Sequence, residues 1–478
     1  MEVSIIFFSL CAAALITLMV RRRAVIEVAA VVAVGVALVE SVTVALRVAA
    51  TGNYVPSEFF SVDALGALLM LLISCVGLAA VTYSVQYLRK ETAKKIIGFT
   101  RSKQYYILLD LFLAAMFLAV SSSSPIIAWI SIEATTLSTA FLISFYNKPS
   151  AVEAAWKYLI INSIGLLLAF FGTLLFFSSL QTSTGFATWT SLLNNASHLD
   201  PVIAKIAFIF VLIGYGTKVG LAPMHTWLPD AHSKAPVPVS ALLSGVLLNV
   251  AFITILRFKV ITAASVGPDF PQRLLIIFGL LSILVASFII FTQYNYKRLL
   301  AYSSIENMGI TALGFGLGGV GVFAALLHMI YHSLLKSALF LLSGNIFLKY
   351  SSTKIAKVKG ALSALPITSV LFLIGIFAIT GAPPFGIFLT KILIFSSGIT
   401  LHPFLTVVAM LLTAMVFIGF LKHASDMFFG EKPHDLEPEK EKMTLIIPPF
   451  ALITLVLYLS FYQPAFLQVL IKGAALNY

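Results

Sequence analysis

The amino-acid sequence predicts an all-α polytopic membrane protein of about 14 transmembrane helices, with two inverted five-helix repeats that each contain a broken helix. Three observations predict it: a composition no water-soluble core can absorb, a Gly/Pro interruption beside a lysine in each of two apolar spans, and a constant spacing between intramembrane glutamates and lysines. Of the 478 residues, 60% are hydrophobic and 10% charged, and mean hydropathy is +1.01. Apolar runs of about 20 residues recur, each able to cross a hydrocarbon core of roughly 30 Å. A net charge of +12 would suggest nucleic acid in a soluble chain. Here it reads as the Lys/Arg excess of cytoplasmic loops, so the expected partner is the lipid bilayer and not nucleic acid. The two cysteines, Cys11 and Cys75, lie in apolar runs and give no disulfide framework or Cys-ligated cluster. Glu2 stands where a signal peptide carries basic residues, so the first apolar run reads as a retained helix.

The spans fall near 3–20, 24–50, 62–86, 104–122, 125–146, 153–180, 201–224, 237–257, 273–292, 298–316, 319–347, 364–396, 403–428 and 443–470. With the N-terminus outside, 21 of the 31 basic residues fall on the inner side, in groups at 21–23, 89–103, 297–298, 349–359 and 422–442 and at Lys148 and Lys234. Six fall outside, and the remaining four, Lys157, Lys218, Lys336 and Lys391, lie within spans. This bias places both termini on the outer side. The longest loops, 181–200 and 423–442, are too short for a catalytic domain, and the charged stretch 431–442 reads as a solvated linker.

The seventh span carries Lys218 and is then interrupted by Gly220 and Pro223; the twelfth is interrupted at Gly381, Pro383 and Pro384 and carries Lys391. A charge beside a backbone break at membrane depth persists only where it lines a wet cavity inside protein, as in the broken helices of ion carriers. Ser131-Ile132-Glu133 on the fifth span recurs as Ser304-Ile305-Glu306 on the tenth. Each is followed by a span bearing a lysine (Lys157, Lys336) and then by the broken one, 85 residues separating glutamate from lysine in both cases. The chain thus divides into three N-terminal helices (1–103), a first repeat (104–258), a second repeat (259–429), and a linker with the last helix (430–478). Five spans per repeat is an odd number, so the copies are inverted. Aligning Pro223 with Pro383 puts the two lysines on opposite sides of their breaks.

Four lysines and two glutamates facing lipid would cost roughly 15–20 kcal/mol on insertion scales, so they face the interior. There, a lysine held between desolvation and a carboxylate is poised to exchange a proton. His328, His332 and Lys336 lie at i, i+4 and i+8, on one helix face spread over about 12 Å, the pattern of a proton line. Blander readings stand beside these: Lys157 with Glu153 as an ordinary i,i+4 surface pair, and Glu133 and Glu306 as fixed counter-ions. His225 and His232 with Asp230 at the inner mouth offer a zinc set, but solvated loop groups are the preferred reading, and no metal is expected. Asp110, Glu40 and Asp426 are further ionisable groups without an assigned role.

The stretches WISIEATTLSTAFLISFY (Glu133), TKVGLAPMHTWLPDAHSKAPVPVSALLSG (Lys218), HMIYHSLLKSALF (His328, His332, Lys336) and GAPPFGIFLTK (Lys391) resemble the antiporter-like membrane subunits of respiratory complex I, multisubunit Na+/H+ antiporters and membrane-bound [NiFe] hydrogenases. The resemblance covers spans four to thirteen. EATTLSTAFL, EAAWKY and LLSGVLLNVAF are most similar to the hydrogenase-4 component F type. It implies a proton-translocating subunit in a prokaryotic inner membrane, without cofactors of its own. Its partners would be other membrane subunits and a cytoplasmic-side redox module carrying Fe–S clusters and NiFe or flavin. A Na+/H+ antiporter subunit is the alternative, and a stand-alone small-solute carrier a weaker one, since the breaks offer mostly Gly, Ala, Pro and Phe. An inert anchor would not need the buried lysines. Many such proteins carry a lysine or histidine midway along the eighth span. Asn249 stands there instead and requires water to continue the path. The long lateral helix of some family members is not expected.

Overall fold

A computed structural model describes residues 1–178, 187–433, 436 and 440–478. Residues 179–186 of one long loop and 434–435 and 437–439 of the charged linker lie outside the described residues. The first six spans are the helices Glu2–Met19, Arg23–Thr51, Ala64–Ala93, Phe99–Ser121, Pro125–Ile143 and Pro149–Phe177. The seventh, Pro201–Val219, breaks and resumes as Trp227–Lys234. The eighth covers Val237–Val266, and the ninth to eleventh are Asp269–Ile290, Tyr296–Leu317 and Val320–Tyr350. The twelfth is split into Pro366–Thr380 and Gly386–Leu401, and Pro403–Phe428 and Met443–Phe461 follow. Among the described residues, twelve helices are long and apolar enough to cross a membrane; the more polar tenth and the split twelfth bring the spans to fourteen.

Two details depart from the sequence reading. A small antiparallel hairpin, Tyr54–Ser57 with Phe60–Val62, precedes the third span. The last element is two helices: the fourteenth span ends at Phe461, where Tyr462 is extended, and Ala465–Asn477 follows. Pro464 has no N–H with which to continue the first helix.

Every residue in the apolar window of the eighth and eleventh spans is buried, against 39% in the first, second, sixth and thirteenth. The former make a column enclosed by protein, and the latter turn large apolar side chains outward. The sixth span shows the pattern: Tyr158, Asn162, Gly165, Ala169 and Gly172 are buried, while Trp156, Ile160, Ile164, Leu167 and Phe171 on the other face are exposed. This is a helical stripe with its polar and small side inward, as expected when lipid is the solvent. A Cβ on Gly214 would sit 2.5 Å from the Gly165 carbonyl, so spans six and seven approach closely only because both positions are glycine. That approach sets the sixth-span side chains against Lys218.

Both breaks close in the same way. Gly220 (φ +78) and Gly381 (φ +95) adopt the left-handed conformation. Gly220 N–H donates to Thr217 and Leu221 N–H to Gly216; Gly381 N–H donates to Ala378 and Ala382 N–H to Phe377. These are Schellman closures, satisfying carbonyls that lipid could not. Side chains serve the remaining backbone donors: Ala222 N–H meets Ser282 Oγ at 2.9 Å and Gly386 N–H meets Ser460 Oγ at 2.8 Å.

Candidate functional site

At the first break, Lys218 lies in the last turn of its half-helix and is fully buried. Its Nζ donates to Thr136 Oγ1 at 2.8 Å and to Tyr158 OH at 2.6 Å, and lies 4.8 Å from the Tyr158 ring centroid. Among the described residues no carboxylate oxygen is within ion-pair distance of it. Glu133 instead accepts from Ser163 Oγ at 2.8 Å, and its second oxygen is buried without a protein partner among the described residues. Two neutral hydroxyls, and not the glutamate, hold the amine. Trp227 packs edge-on against Tyr158, with centroids 5.0 Å apart, and donates its indole N–H to the Thr217 carbonyl at 2.8 Å. The segment after the break thereby fixes the tyrosine.

At the second break the charges meet. Lys391 Nζ lies 2.9 Å from Glu306 Oε1 and 3.1 Å from the Thr380 carbonyl that ends the first half-helix. Glu306 is fully buried, and Asn307 Nδ2 donates to its other oxygen. Asn307 Oδ1 in turn faces His328 Nε2 at 3.1 Å, while His328 Nδ1 faces Thr390 Oγ1 at 2.9 Å. Because the asparagine amide is committed to the glutamate, its carbonyl requires an N–H on Nε2. Thr390 donates to the Ile387 carbonyl at 2.9 Å; if it keeps that bond, Nδ1 must also carry hydrogen, and if it rotates, Nδ1 can be bare. One set of heavy-atom positions therefore holds the imidazole or the imidazolium, exchanged by turning a hydroxyl. The direct chain His328–Asn307–Glu306–Lys391 is the most complete polar connection at either break.

Between the breaks the groups are buried but sparsely partnered. Lys336, fully buried, donates to the Leu300 carbonyl at 2.8 Å. Asn249 donates to Ser333 Oγ at 2.8 Å, and its carbonyl oxygen has no protein partner among the described residues. Both ring nitrogens of His332 and of His232 are buried and likewise without a protein partner among the described residues. Buried polar groups are normally satisfied, so such a run marks places for water. A π-helical segment, Leu243–Leu247, lies just before Asn249, a distortion common at functional sites. Ser337 Oγ donates to Ala241 O at 3.1 Å, and Ser244 meets Ser304 at 2.6 Å beside it.

Other residues fall away from this line. Lys157 is half exposed and pairs with Glu153 at 2.6 Å and Asp230 at 3.7 Å, the surface-pair arrangement. Asp230 also binds Arg298. With Asp230 so engaged, and His232 stacked on Phe340 (5.1 Å between centroids), the zinc alternative has no geometry. Among the described residues no group of three or more His, Cys, Asp or Glu converges. His232, expected as a solvated loop group, is fully buried, and Lys297, expected in an inner loop, is buried with its Nζ 2.7 Å from the Ala235 carbonyl. His225 is nearly buried beside Tyr302, centroids 6.3 Å apart, with Nδ1 unpartnered. Asp110 is fully buried, and neither of its carboxylate oxygens has a protein partner among the described residues. Reading charges alone missed Tyr158, Thr136, Asn307 and Thr390. Tyr158 directly follows Lys157 and Asn307 directly follows Glu306, so adjacency to an ionisable residue was the available signal.

The chain is similar to known proteins in sequence and in fold. The family described as NADH:quinone oxidoreductase/Mrp antiporter, TM, matches residues 122–417. The chain is 38% identical over 421 residues to the hydrogenase-4 component F homolog of Methylacidiphilum infernorum, covering 86% of each. It is 30% identical over 446 residues to the Na(+)/H(+) antiporter subunit A1 of Staphylococcus aureus, covering 86% of this chain but only 53% of that one. Among solved structures it superimposes on a chain of the membrane-bound sulfane sulfur reductase, an archaeal respiratory membrane complex, with a TM-score of 0.88 at 20% identity over 100% of this chain and 96% of the other.

Proposed function

Because the chain belongs to the NADH:quinone oxidoreductase/Mrp antiporter transmembrane family, we propose that it is the proton-translocating membrane subunit of a redox-driven complex of the hydrogenase-4/formate hydrogenlyase or NADH dehydrogenase type. The observation that carries this reading is the chain from His328 through Asn307 and Glu306 to Lys391 at the second break. It joins a group that holds either charge state to a separable ion pair. Lys218, under the field of Glu133, serves the first half-channel, and Lys391 with Lys336, His328 and His332 the second. Water at the unpartnered atoms of Asn249, His232 and His332 links the two halves. A charge arriving at one lysine alters the pairing at the other, so protons move in turn and not freely across.

On this reading the two units 104–258 and 259–429 are the inverted repeats, both termini face outward across a prokaryotic inner membrane, and partner subunits supply the Fe–S clusters and NiFe or flavin. The experiment is purification of the intact complex in mild detergent, reconstitution into liposomes, and measurement of lumen acidification driven by its own redox reaction. Hydrogenase or dehydrogenase subunits that copurify and drive proton uptake support the reading. A complex without redox subunits that exchanges Na+ for H+ would replace it with the antiporter alternative.

A further inference from the structure

We propose that Tyr158 and Thr136 form a resting pocket for the uncharged amine of Lys218, holding it away from Glu133 between proton transfers. This rests on the reading of Lys218 as a proton carrier. The directions of the hydrogen bonds carry it. Thr136 donates its hydroxyl hydrogen to the Ile132 carbonyl (3.3 Å), and Thr139 donates to the Thr135 carbonyl. Tyr158, 2.6 Å from Thr139 Oγ1, therefore gives its hydrogen to Thr139. Both oxygens that face Lys218 have spent their own hydrogens elsewhere and can only accept. They offer two acceptors, at 2.8 and 2.6 Å. A neutral amine spends both its N–H groups on them and brings no charge into the pocket; an ammonium brings a third N–H and a full charge, and among the described residues no carboxylate in contact offsets that charge.

Glu133 is the charged group that acts on Lys218, and Tyr158 the other titratable group in contact with it. The buried, unpartnered Glu133 oxygen is the anion available to a charged lysine. On gaining one proton from water, Lys218 leaves the pocket for Glu133; on giving one back to water, it returns. Lys391, held by a carboxylate and a carbonyl, occupies the charged-state position at the other break. Tyr158 and Thr136 are positioning residues, and the difference between the two breaks is a difference in the charge state each is shaped to hold.

The test is the pH profile of protons translocated per turnover in the reconstituted complex. Tyr158→Phe keeps the ring and its packing on Trp227 but removes an acceptor. With the pocket weakened, the lysine spends longer charged on Glu133, and the profile shifts toward alkaline pH by about one unit, the worth of one hydrogen bond. Thr136→Val shifts it in the same direction, and Thr136→Ser, which keeps the hydroxyl, restores it; this pair decides the matter if Tyr158→Phe does not assemble. A profile that stays in place, or moves toward acid, in an assembled complex overturns the pocket. Lys218→Ala separates the two levels. If it pumps normally, the carrier reading fails along with the pocket. If it is silent while the Tyr158 and Thr136 variants match wild type, only the pocket fails.

Discussion

Replacing Lys391 by methionine should destabilise the protein far more than the same change at Lys218. The structure explains why. Glu306 is wholly inaccessible, its partner Lys391 has a side chain only 8% exposed, and they meet at 2.9 Å. Removing the lysine leaves a buried carboxylate with Asn307 as its remaining side-chain donor, and breaking such a pair costs about 3–5 kcal/mol. Lys218 has no such partner. Its removal forfeits two hydrogen bonds to hydroxyls that keep their own acceptors, about 1–2 kcal/mol in sum. Thermal unfolding of the detergent-purified complex ranks the two: Lys391→Met should unfold at clearly lower temperature than Lys218→Met. Adding Glu306→Gln to Lys391→Met should recover most of the loss, because the stranded charge is gone. If Lys391→Met unfolds no earlier than Lys218→Met, or if the double variant is worse than the single, the buried ion pair does not exist in the native protein.

Three other outcomes follow from the same geometry. Gly220→Ala forces a Cβ to 2.4 Å from Leu228 Cδ1 at φ +78, a cost of at least about 1–2 kcal/mol, and should lower the yield of assembled complex; unaltered yield and melting would argue against the closure at the first break. Lys157→Ala removes exposed pairs with Glu153 and Asp230, which solvent screens; pumping should stay within about twofold of wild type, and a large loss would return Lys157 to the translocation path. A density map that resolves solvent should show water at both ring nitrogens of His332 and at Asn249 Oδ1; a dry, closed contact there would cut the proposed link between the halves.

Much of this was legible in the sequence because lipid punishes errors that water forgives. The spans declare themselves by length, and the two breaks by Gly220 and Gly381, which the left-handed turn demands. Intramembrane Lys218, Lys336 and Lys391 stand out because an unpaired charge in hydrocarbon is expensive. The tenth span, more polar than its neighbours, still reads as a span from its length, and the recurrence of Ser-Ile-Glu ties it to the fifth. What could not be read was set by contacts between distant segments. That Lys391 meets its glutamate while Lys218 meets Tyr158 and Thr136 depends on side-chain positions that an identical 85-residue spacing conceals. His232 and Lys297 looked like mouth residues from their neighbours in sequence, yet helix packing closes over both. Hydroxyl and amide residues such as Tyr158 and Asn307 carry no charge, so nothing in composition marks them.

The central claim, that protons cross the membrane through the buried lysines of this chain, is tested most directly by counting. In reconstituted complex, the ratio of protons translocated to electrons transferred should fall in Lys218→Ala to the share carried by the other subunits, while the redox reaction itself continues. An unchanged ratio in the fully assembled variant would mean that the protons travel elsewhere.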